Sequence, residues 1–322
     1  MPTYNRLATL QRAVAALDPQ TVDSSRFELV VVSDGSTDGT HEFLEQASPA
    51  FHLLIGRQEN SGPAAARNHG VRLARGDLIL FLDDDVVAAP DLIEQHLCAR
   101  PESDDRIVVI GPMLTPPDHR PNPFIRWEQS MLYKQYDAMK RGDWAPTYRQ
   151  FYTGNASVGR RFIMSLGGFD ERFRRGEDVE LAYRLHEEGA RFVFNDSAVG
   201  HHYAERSFES WLRNAREYGR NDVVFDRERR QSGRLEQVRV EYAGRNPLVR
   251  GLTRACLGRK TLESSLRHAA KSIIYGADRL GLEAITQSAL SGLYNTTYYC
   301  GMADELGGSE AFWETIRGGR SD

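Results

Sequence analysis

Cysteine is scarce in this 322-residue chain: Cys98, Cys256 and Cys300 stand far apart and form no C-x-x-C pair. That excludes a disulfide framework and a thiolate zinc site, and makes a reducing compartment the default. Long apolar runs are missing as well. The most apolar late stretch, 282–302, is broken by Glu283, Thr286, Gln287, Asn295, Thr296 and Thr297, too polar for a span of about 20 residues. The opening Met-Pro-Thr-Tyr-Asn-Arg has no apolar stretch behind its basic residue and does not read as a secretory signal. The expected location is therefore cytoplasmic, and the sequons at Asn155 and Asn295 are expected to carry no sugar. A G-x-G-x-x-G fingerprint is absent, which counts against a dinucleotide-dependent dehydrogenase. Gly154-Asn-Ala-Ser-Val-Gly159-Arg-Arg has P-loop-like glycine spacing but lacks the Lys-Ser/Thr pair that phosphate and magnesium require. A one-signed overall charge is missing too: 41 basic residues face 45 acidic ones, net −4, which argues against nucleic acid as a partner.

What is present is ordinary globular material, with 40% hydrophobic and 27% charged residues, so the chain folds around a sizeable core. The first two hundred residues alternate β-branched runs with amphipathic stretches, the pattern of an open, mostly parallel, partly mixed sheet with helices on both faces. Strands are expected at Phe27 to Ser33, His52 to Gly56, Leu78 to Asp83 and Ile107 to Gly111, with helices from Gly39, Pro63 and Pro90. Further on come a helix at Phe124 to Met139, a strand at Ala156 to Gly159, a helix at Glu177 to Glu188 and a strand at Arg191 to Phe194. After His202 only helical periodicity remains, which divides the chain at 1–204 and 205–322. Leu262, Leu266, Ala269, Ile273, Ala277 and Leu280 predict a packing stripe. The charged, breaker-rich stretch from Asp226 to Pro247 predicts a linker.

In open α/β sheets ligands bind beyond the carboxyl ends of the strands, and two of the apolar runs end in acid. One leads into Asp34-Gly-Ser-Thr-Asp-Gly39 and the other into Asp83-Asp84-Asp85. Adjacent carboxylates repel one another, so Mg2+ or Mn2+ suits the second cluster, as does a plain solvated turn that caps a helix. The first cluster nearly spells a calcium loop with Glu45, but a β-branched strand precedes it and His41 takes the usual apolar position. Calcium is rejected there.

Six ordered blocks within residues 2–202 then add up: Pro2-Thr-Tyr-Asn-Arg6, Val32-Ser-Asp-Gly-Ser-Thr-Asp38, Asn60-Ser-Gly-Pro-Ala-Ala-Ala-Arg-Asn68, Phe81-Leu-Asp-Asp-Asp85, Gly167-Gly-Phe-Asp170 and Gly176-Glu-Asp178. In this order the chain resembles the family 2 inverting glycosyltransferases. The resemblance implies a nucleotide-diphospho-sugar transferase (GT-A-like) fold, a nucleotide-sugar donor and a divalent metal. It implies that Asp34 accepts the N3–H of uracil or thymine, a hydrogen that cytosine lacks. An Asp here also suits a helix cap. Pro2, Tyr4 and Arg6 would wrap the base and phosphates, Arg67 would steady the donor, and Asp83 and Asp84 would lie along the bound nucleotide sugar. Asp85 would be the metal ligand, with Asp83 nearer the ribose and His201 or His202 as a third ligand. Asp178 would be the general base toward an acceptor hydroxyl, with Glu177 beside it orienting the loop or acceptor.

The expected function is transfer of one sugar, from UDP or dTDP, to a hydroxyl of a glycan, glycolipid or small-molecule glycoside, as in polysaccharide biosynthesis. The alternatives are a nucleotidyltransferase that makes nucleotide sugars and a degenerate nucleotide-sugar-binding scaffold. Trp127, Tyr133, Tyr136, Trp144 and Tyr148 are placed either against sugar rings or in the core. Relatives of this kind carry a strand of about half a dozen apolar residues directly before the Pro-Thr-Tyr-Asn block, so a Val/Ile-rich run is expected in frame upstream of Met1. Residues 203–272 hold 14 Arg and two Lys against nine acids, a balance of +7. That basic tail is either a solvated helical surface or a peripheral contact with an anionic membrane.

Overall fold

The structure, a computed structural model, describes residues 1–101, 104–173, 175–229 and 233–318. Among the described residues ten strands form up to His202: β1 (Pro2–Thr3), β2 (Glu28–Asp34), β3 (His52–Gln58), β4 (Leu78–Leu82), β5 (Val86–Ala88), β6 (Ile107–Ile110), β7 (Met113–Leu114), β8 (Asn155–Gly159), β9 (Arg191–Phe194) and β10 (Gly200–His202). They make three sheets among the described residues, ordered β1-β2-β3, β5-β10-β7 and β4-β8-β6-β9. The first sheet is wholly parallel. The other two are mixed, because β10 meets β5 and β8 meets both β4 and β6 antiparallel. The strands predicted from β-branched runs all form, within two residues at each end. The short β1, β5, β7 and β10 escape a sequence reading because two or three residues carry no alternation to detect.

Helices α1 (Leu7–Ala15), α2 (Thr40–Gln46), α3 (Pro63–Leu73) and α4 (Leu92–Cys98) accompany these strands. The last begins two residues beyond the predicted Pro90, whose carbonyl instead accepts from Thr21 N at 2.8 Å. Next come α5 (Pro123–Lys140), α6 (Arg160–Ser165) and α7 (Glu177–Glu187). The alternating sides of β4 separate two cores: Ile79 and Phe81 pack with Val71 of α3, and Leu80 and Leu82 with Leu92 and Leu17. Both faces of β4 are therefore covered, which is why it reads as an unbroken apolar run.

The chain divides into two compact units, Met1–Arg120 with Gln129–Ala204, and Pro121–Glu128 with Glu205–Asp322. The second is helical: α8 (Phe208–Glu228), α9 (Arg234–Ala243), α10 (Pro247–Cys256), α11 (Lys260–Arg279), α12 (Glu283–Leu306) and α13 (Ser309–Arg317). Helix α12 is its centre, packed against α8, α10, α11 and α13. Two of its polar side chains bond back to its own backbone, Thr297 donating to Leu293 O at 2.8 Å and Asn295 to Ser291 O at 2.7 Å. Gly301 brings it against α8, where a Cβ would stand 2.0 Å from Arg216 O. Among the described residues no helix is long and apolar enough to cross a membrane.

Two expectations do not hold in full in this unit. The predicted linker Asp226–Pro247 contains helix α9, anchored by buried Val238 and Tyr242 and by Arg234, which pairs with Asp222 at 2.7 Å and Glu241 at 3.0 Å; Arg230, Gln231 and Ser232 of that stretch lie outside the described residues. The predicted stripe on α11 is met only in part: Ala277 is buried and Leu266 packs against the helical core, but most of its members face outward. Ala270, Ile274 and Ala277 are buried, while Leu262, Ile273 and Leu280 are 44%, 49% and 75% exposed. Two apolar rows share this helix, and periodicity alone does not say which one meets the core.

Candidate active site

The site is built where β1, β2 and β4 end. Asp34, the last residue of β2, is buried, and its carboxylate accepts from Gln58 Nε2, Ser61 N and Gly62 N, each at 2.8 Å. It therefore fixes the loop that opens α3 rather than capping α2. The α2 start belongs to Asp38, whose Oδ1 accepts from Thr40 Oγ1 at 2.6 Å and whose Oδ2 accepts from Leu7 N at 2.9 Å. Three of about four acceptor positions on Asp34 are thus filled, leaving one on Oδ2. Asn5, at φ 52°, sits in the left-handed region and ties the N-terminal loop to this turn, accepting from Thr37 N at 2.7 Å. Tyr4 beside it is 49% exposed.

The three aspartates after β4 differ in company. Asp83 accepts from Arg67 Nη2 at 2.8 Å. Asp84 is buried, accepting from Thr3 Oγ1 at 2.8 Å and from Arg6 Nη1 at 3.0 Å. Burial pushes its carboxyl up to about 6 against the pull of Arg6. Asp85 accepts from Arg6 Nη1 at 2.6 Å and faces His202 Nε2 at 3.5 Å. Burial opposes its ionisation, but His202 and Arg6 outweigh that and hold it well below the usual carboxylate range. The aspartate cluster is not a solvated turn: Arg6 and Arg67 supply the positive charge that the repulsion demands.

Strand β10 settles which histidine meets Asp85. His202 is paired with Val86 and His201 with Val87, and successive strand residues point to opposite faces. The Nδ1 atoms of both rings are buried without a partner among the described residues. No three His, Cys, Asp or Glu side chains there are arranged to hold a metal by themselves. Asp85 and His202 nonetheless offer one carboxylate and one imidazole side by side. That donor set fits a divalent cation whose remaining ligands are phosphate oxygens.

Arg67 on α3 crosses to the start of α7, donating from Nη1 to Glu177 Oε1 at 2.7 Å. Burial works against its charge, yet Asp83 and Glu177 raise its pKa further. Its neighbour Asn68 holds the Gly-Gly-Phe-Asp block, donating to Phe169 O and Glu171 Oε1, both at 2.9 Å, and accepting from Phe169 N at 2.8 Å. Gly168, at φ +75°, is required here, since a Cβ would lie 2.4 Å from Asn68 Oδ1. Glu177 is thus committed to Arg67. Asp178 accepts only from Val179 N, at 2.8 Å, among the described residues. Burial first, then the Glu177 charge, push its carboxyl up to about 7 despite Arg67.

Of the aromatic residues considered for sugar stacking, Trp127 and Tyr136 are buried and Tyr148 stands edge-on to Tyr183. Tyr133 accepts from Thr115 N at 2.8 Å. Trp144 alone of the five is a large exposed side chain, at 47%. Both sequon asparagines are buried. Asn155 donates to Pro112 O at 3.0 Å and Ala198 O at 2.7 Å and faces His96 Nε2 at 2.9 Å. Sequence reasoning missed Thr3, Asn5, Asp38 and Asn68 as organisers of the site, although each lies inside a motif it had singled out.

Residues 1–165 match the family model described as Glycosyl transferase family 2. Validoxylamine A glucosyltransferase of Streptomyces hygroscopicus subsp. jinggangensis is 32% identical over 229 residues, covering 62% of this chain and 53% of that protein. Hyaluronan synthase of Pasteurella multocida is 28% identical over 282 residues, 77% of this chain and 28% of that protein. The chain spans about half the length of the validoxylamine A glucosyltransferases it matches. Among solved structures, the mannosyltransferase PcManGT from Pyrobaculum calidifontis, in complex with GDP-Man and Mn2+, superposes with a TM-score of 0.57 at 19% identity, covering 91% of this chain and 84% of that one. S. aureus TarS 1–349 in complex with UDP-GlcNAc gives 0.56 at 16% identity, covering 95% and 90%. These likenesses establish the α/β transferase fold. With the family match running through β1 to α6, the chain belongs to glycosyl transferase family 2.

Proposed function

We propose that this chain is an inverting glycosyltransferase that moves a sugar from a uridine or thymidine diphosphate donor to an acceptor hydroxyl, with residues 1–204 binding the donor and performing the transfer. The observation that carries the reading is the contrast between the neighbouring acids. Glu177 is neutralised by Arg67, whereas Asp178 keeps a carboxylate with one local hydrogen bond and a pKa pushed up to about 7, suited to accept a proton near neutral pH. Asp178 takes the acceptor proton as the hydroxyl attacks the anomeric carbon from the side opposite the leaving diphosphate. Arg67 holds Asp83 and Glu177 at fixed separation around the donor. The remaining acceptor position on Asp34 receives the base N3–H, and exposed Tyr4 covers the base.

A divalent cation between Asp85, His202 and the donor diphosphate would neutralise charge on the departing nucleotide. Arg6 already contributes there and has to share Asp85. Excess chelator is therefore expected to lower transfer at least about tenfold, with Mn2+ or Mg2+ restoring it. Asp85→Asn should weaken UDP binding in the presence of metal and change it little without. Full activity in chelator would remove the metal from this account. The donor reading is tested by thermal shift: UDP and dTDP should raise the midpoint more than CDP at equal concentration. An equal response to CDP would sink the role of Asp34.

The acceptor lies in glycan, glycolipid or small-molecule glycoside synthesis, and the tail makes peripheral contact with a membrane carrying it. Arg213, Arg259, Lys260 and Arg267 form no ion pair among the described residues, and Leu262 and Ile273 of α11 and Leu280 just after it are exposed. Vesicles containing phosphatidylserine should co-sediment the protein at low salt, and less at physiological salt. Absence of binding at low salt would leave the tail a solvated surface.

A further inference from the structure

Helices α8 and α11 both pack against α12, and between them lies a cavity of about 340 Å³. Buried Leu212 and Thr297 line its inner side, and the Thr297 hydroxyl is already spent on Leu293 O. The charged lining comes from one face of each outer helix. Glu209, Arg213 and Arg216 stand four and three residues apart on α8, and Lys260, Glu263 and Arg267 three and four apart on α11, spacings that bring side chains to one side of a helix. Both acids are taken. Glu209 accepts from Lys271 Nζ at 2.8 Å, and Glu263 pairs with Arg216, which also reaches Asp304. The Lys271 bond, with a smaller pull from Arg267, holds the Glu209 carboxyl below its usual range. Arg213, Lys260 and Arg267 keep neither an ion pair nor a side-chain hydrogen bond among the described residues. Lys260 is moreover the first residue of α11, a helix of 20 residues that starts without a side-chain cap, so the positive end of the helix adds to the three cations.

We propose that this cavity is a phosphate site in the helical unit, taking the phosphomonoester of a small organic molecule, with the dianion among Arg213, Lys260 and Arg267 and the ester carbons against Leu212. Three like charges around one cavity repel one another until an anion lies between them. Two guanidinium forks match phosphate oxygens in pairs, and the lysine adds a point charge. Ser264 lines the same cavity and brings a hydroxyl. The volume sits at the lower end of small-ligand pockets, about 300–1,000 Å³, so it holds more than a bare phosphate ion, and the apolar inner side suits the carbon part of an ester. A carboxylate-bound metal does not suit it, because both acids already have cations. The membrane contact proposed above treats the same cations as surface charge. The cavity gives them a discrete ligand, and either a soluble ester or a phosphomonoester lipid headgroup supplies that chemistry.

The test is calorimetric titration of the full chain with glycerol 3-phosphate in saturating UDP, which keeps the donor site filled, beside co-sedimentation with phosphatidylcholine vesicles carrying phosphatidic acid. At least one probe should bind saturably, and combining Arg213→Gln with Arg267→Gln should weaken that binding at least about tenfold. Arg259→Gln, which removes a cation that does not line the cavity, should change it less than about twofold. All these variants should melt within about 2 °C of the parent, since each side chain is exposed. Binding of glycerol 3-phosphate alone supports the site with a soluble ester as its occupant, and binding of the vesicles alone supports it with a lipid headgroup. Saturable binding of neither probe, binding of glycerol 3-phosphate only when UDP is left out, or an equal loss in Arg259→Gln would overturn the proposal, the last by returning the cations to a diffuse basic surface. If phosphatidylserine vesicles fail to bind while glycerol 3-phosphate still does, the membrane contact falls and the phosphate site stands.

Discussion

Asp178→Asn is expected to lower the transfer rate at least about 10²-fold while donor affinity stays within about twofold. The amide keeps the size and the start of α7 but cannot take the acceptor proton, so the loss falls on turnover and not on binding of the nucleotide. Steady-state transfer measured beside UDP titration checks this. Normal transfer by Asp178→Asn would remove it as the base.

The pH dependence carries the same assignment. As the proposed base Asp178 would act only when ionised, so the rate should climb through about pH 7, where its carboxyl is pushed. For stability the sign is opposite. A carboxyl whose folded pKa lies above its unfolded value lets the native state hold its proton longer. Stability is then full at low pH and declines as pH rises toward about 7. Asp178→Asn removes that decline, so its thermal midpoint at pH 8 should equal or exceed that of the parent chain. Glu177→Gln behaves differently on both counts. It leaves Arg67 with Asp83 alone and lowers the midpoint, and by removing the adjacent negative charge it moves the acid limb of the rate profile to lower pH. A limb that stays in place in Glu177→Gln would mean that the two carboxyls do not sense one another.

The motifs were legible because each is a backbone event as well as a chemical one. Asp34 and Asp83 follow buried strands whose β-branched runs are visible in sequence, and Glu177-Asp178 opens a helix with plain amphipathic spacing. The partners were not legible. That Arg67 reaches 110 residues along the chain to Glu177, or that Arg6 lies across Asp84 and Asp85, depends on the packing of α3 and β1 and leaves no local periodicity. His201 and His202 could not be ranked until β10 was seen to pair with β5, because a three-residue strand gives no phase. The α11 stripe held only at Leu266 and Ala277 for a related reason: a helix with two apolar rows buries whichever one its neighbours cover.

Arg67→Ala should be the most destabilising single change in the site. The guanidinium is buried and joins Asp83 at 2.8 Å to Glu177 at 2.7 Å, with the Phe169 ring centroid 5.8 Å from its carbon. Removing it leaves Glu177, 7% exposed, as a buried charge beside Asp178 with no cation, a situation that costs about 3–5 kcal/mol. In a chain of this size that corresponds to a fall of about 10 °C in the thermal midpoint. Arg67→Lys restores only part, because a single ammonium on a flexible stem does not span two carboxylates as a planar fork does. Arg67 also holds the Asp178 pKa down, so in Arg67→Ala the acid limb of the rate profile should move to higher pH, and less so in Arg67→Lys, which keeps a cation. Adding Glu177→Gln to Arg67→Ala should recover a good part of the lost stability, since the uncompensated charge goes with it. If Arg67→Ala melts within about 2 °C of the parent, or the double variant is the sum of the two single losses, the bridge contributes little. Asp178 would then owe its raised pKa to burial without help from the charges around it.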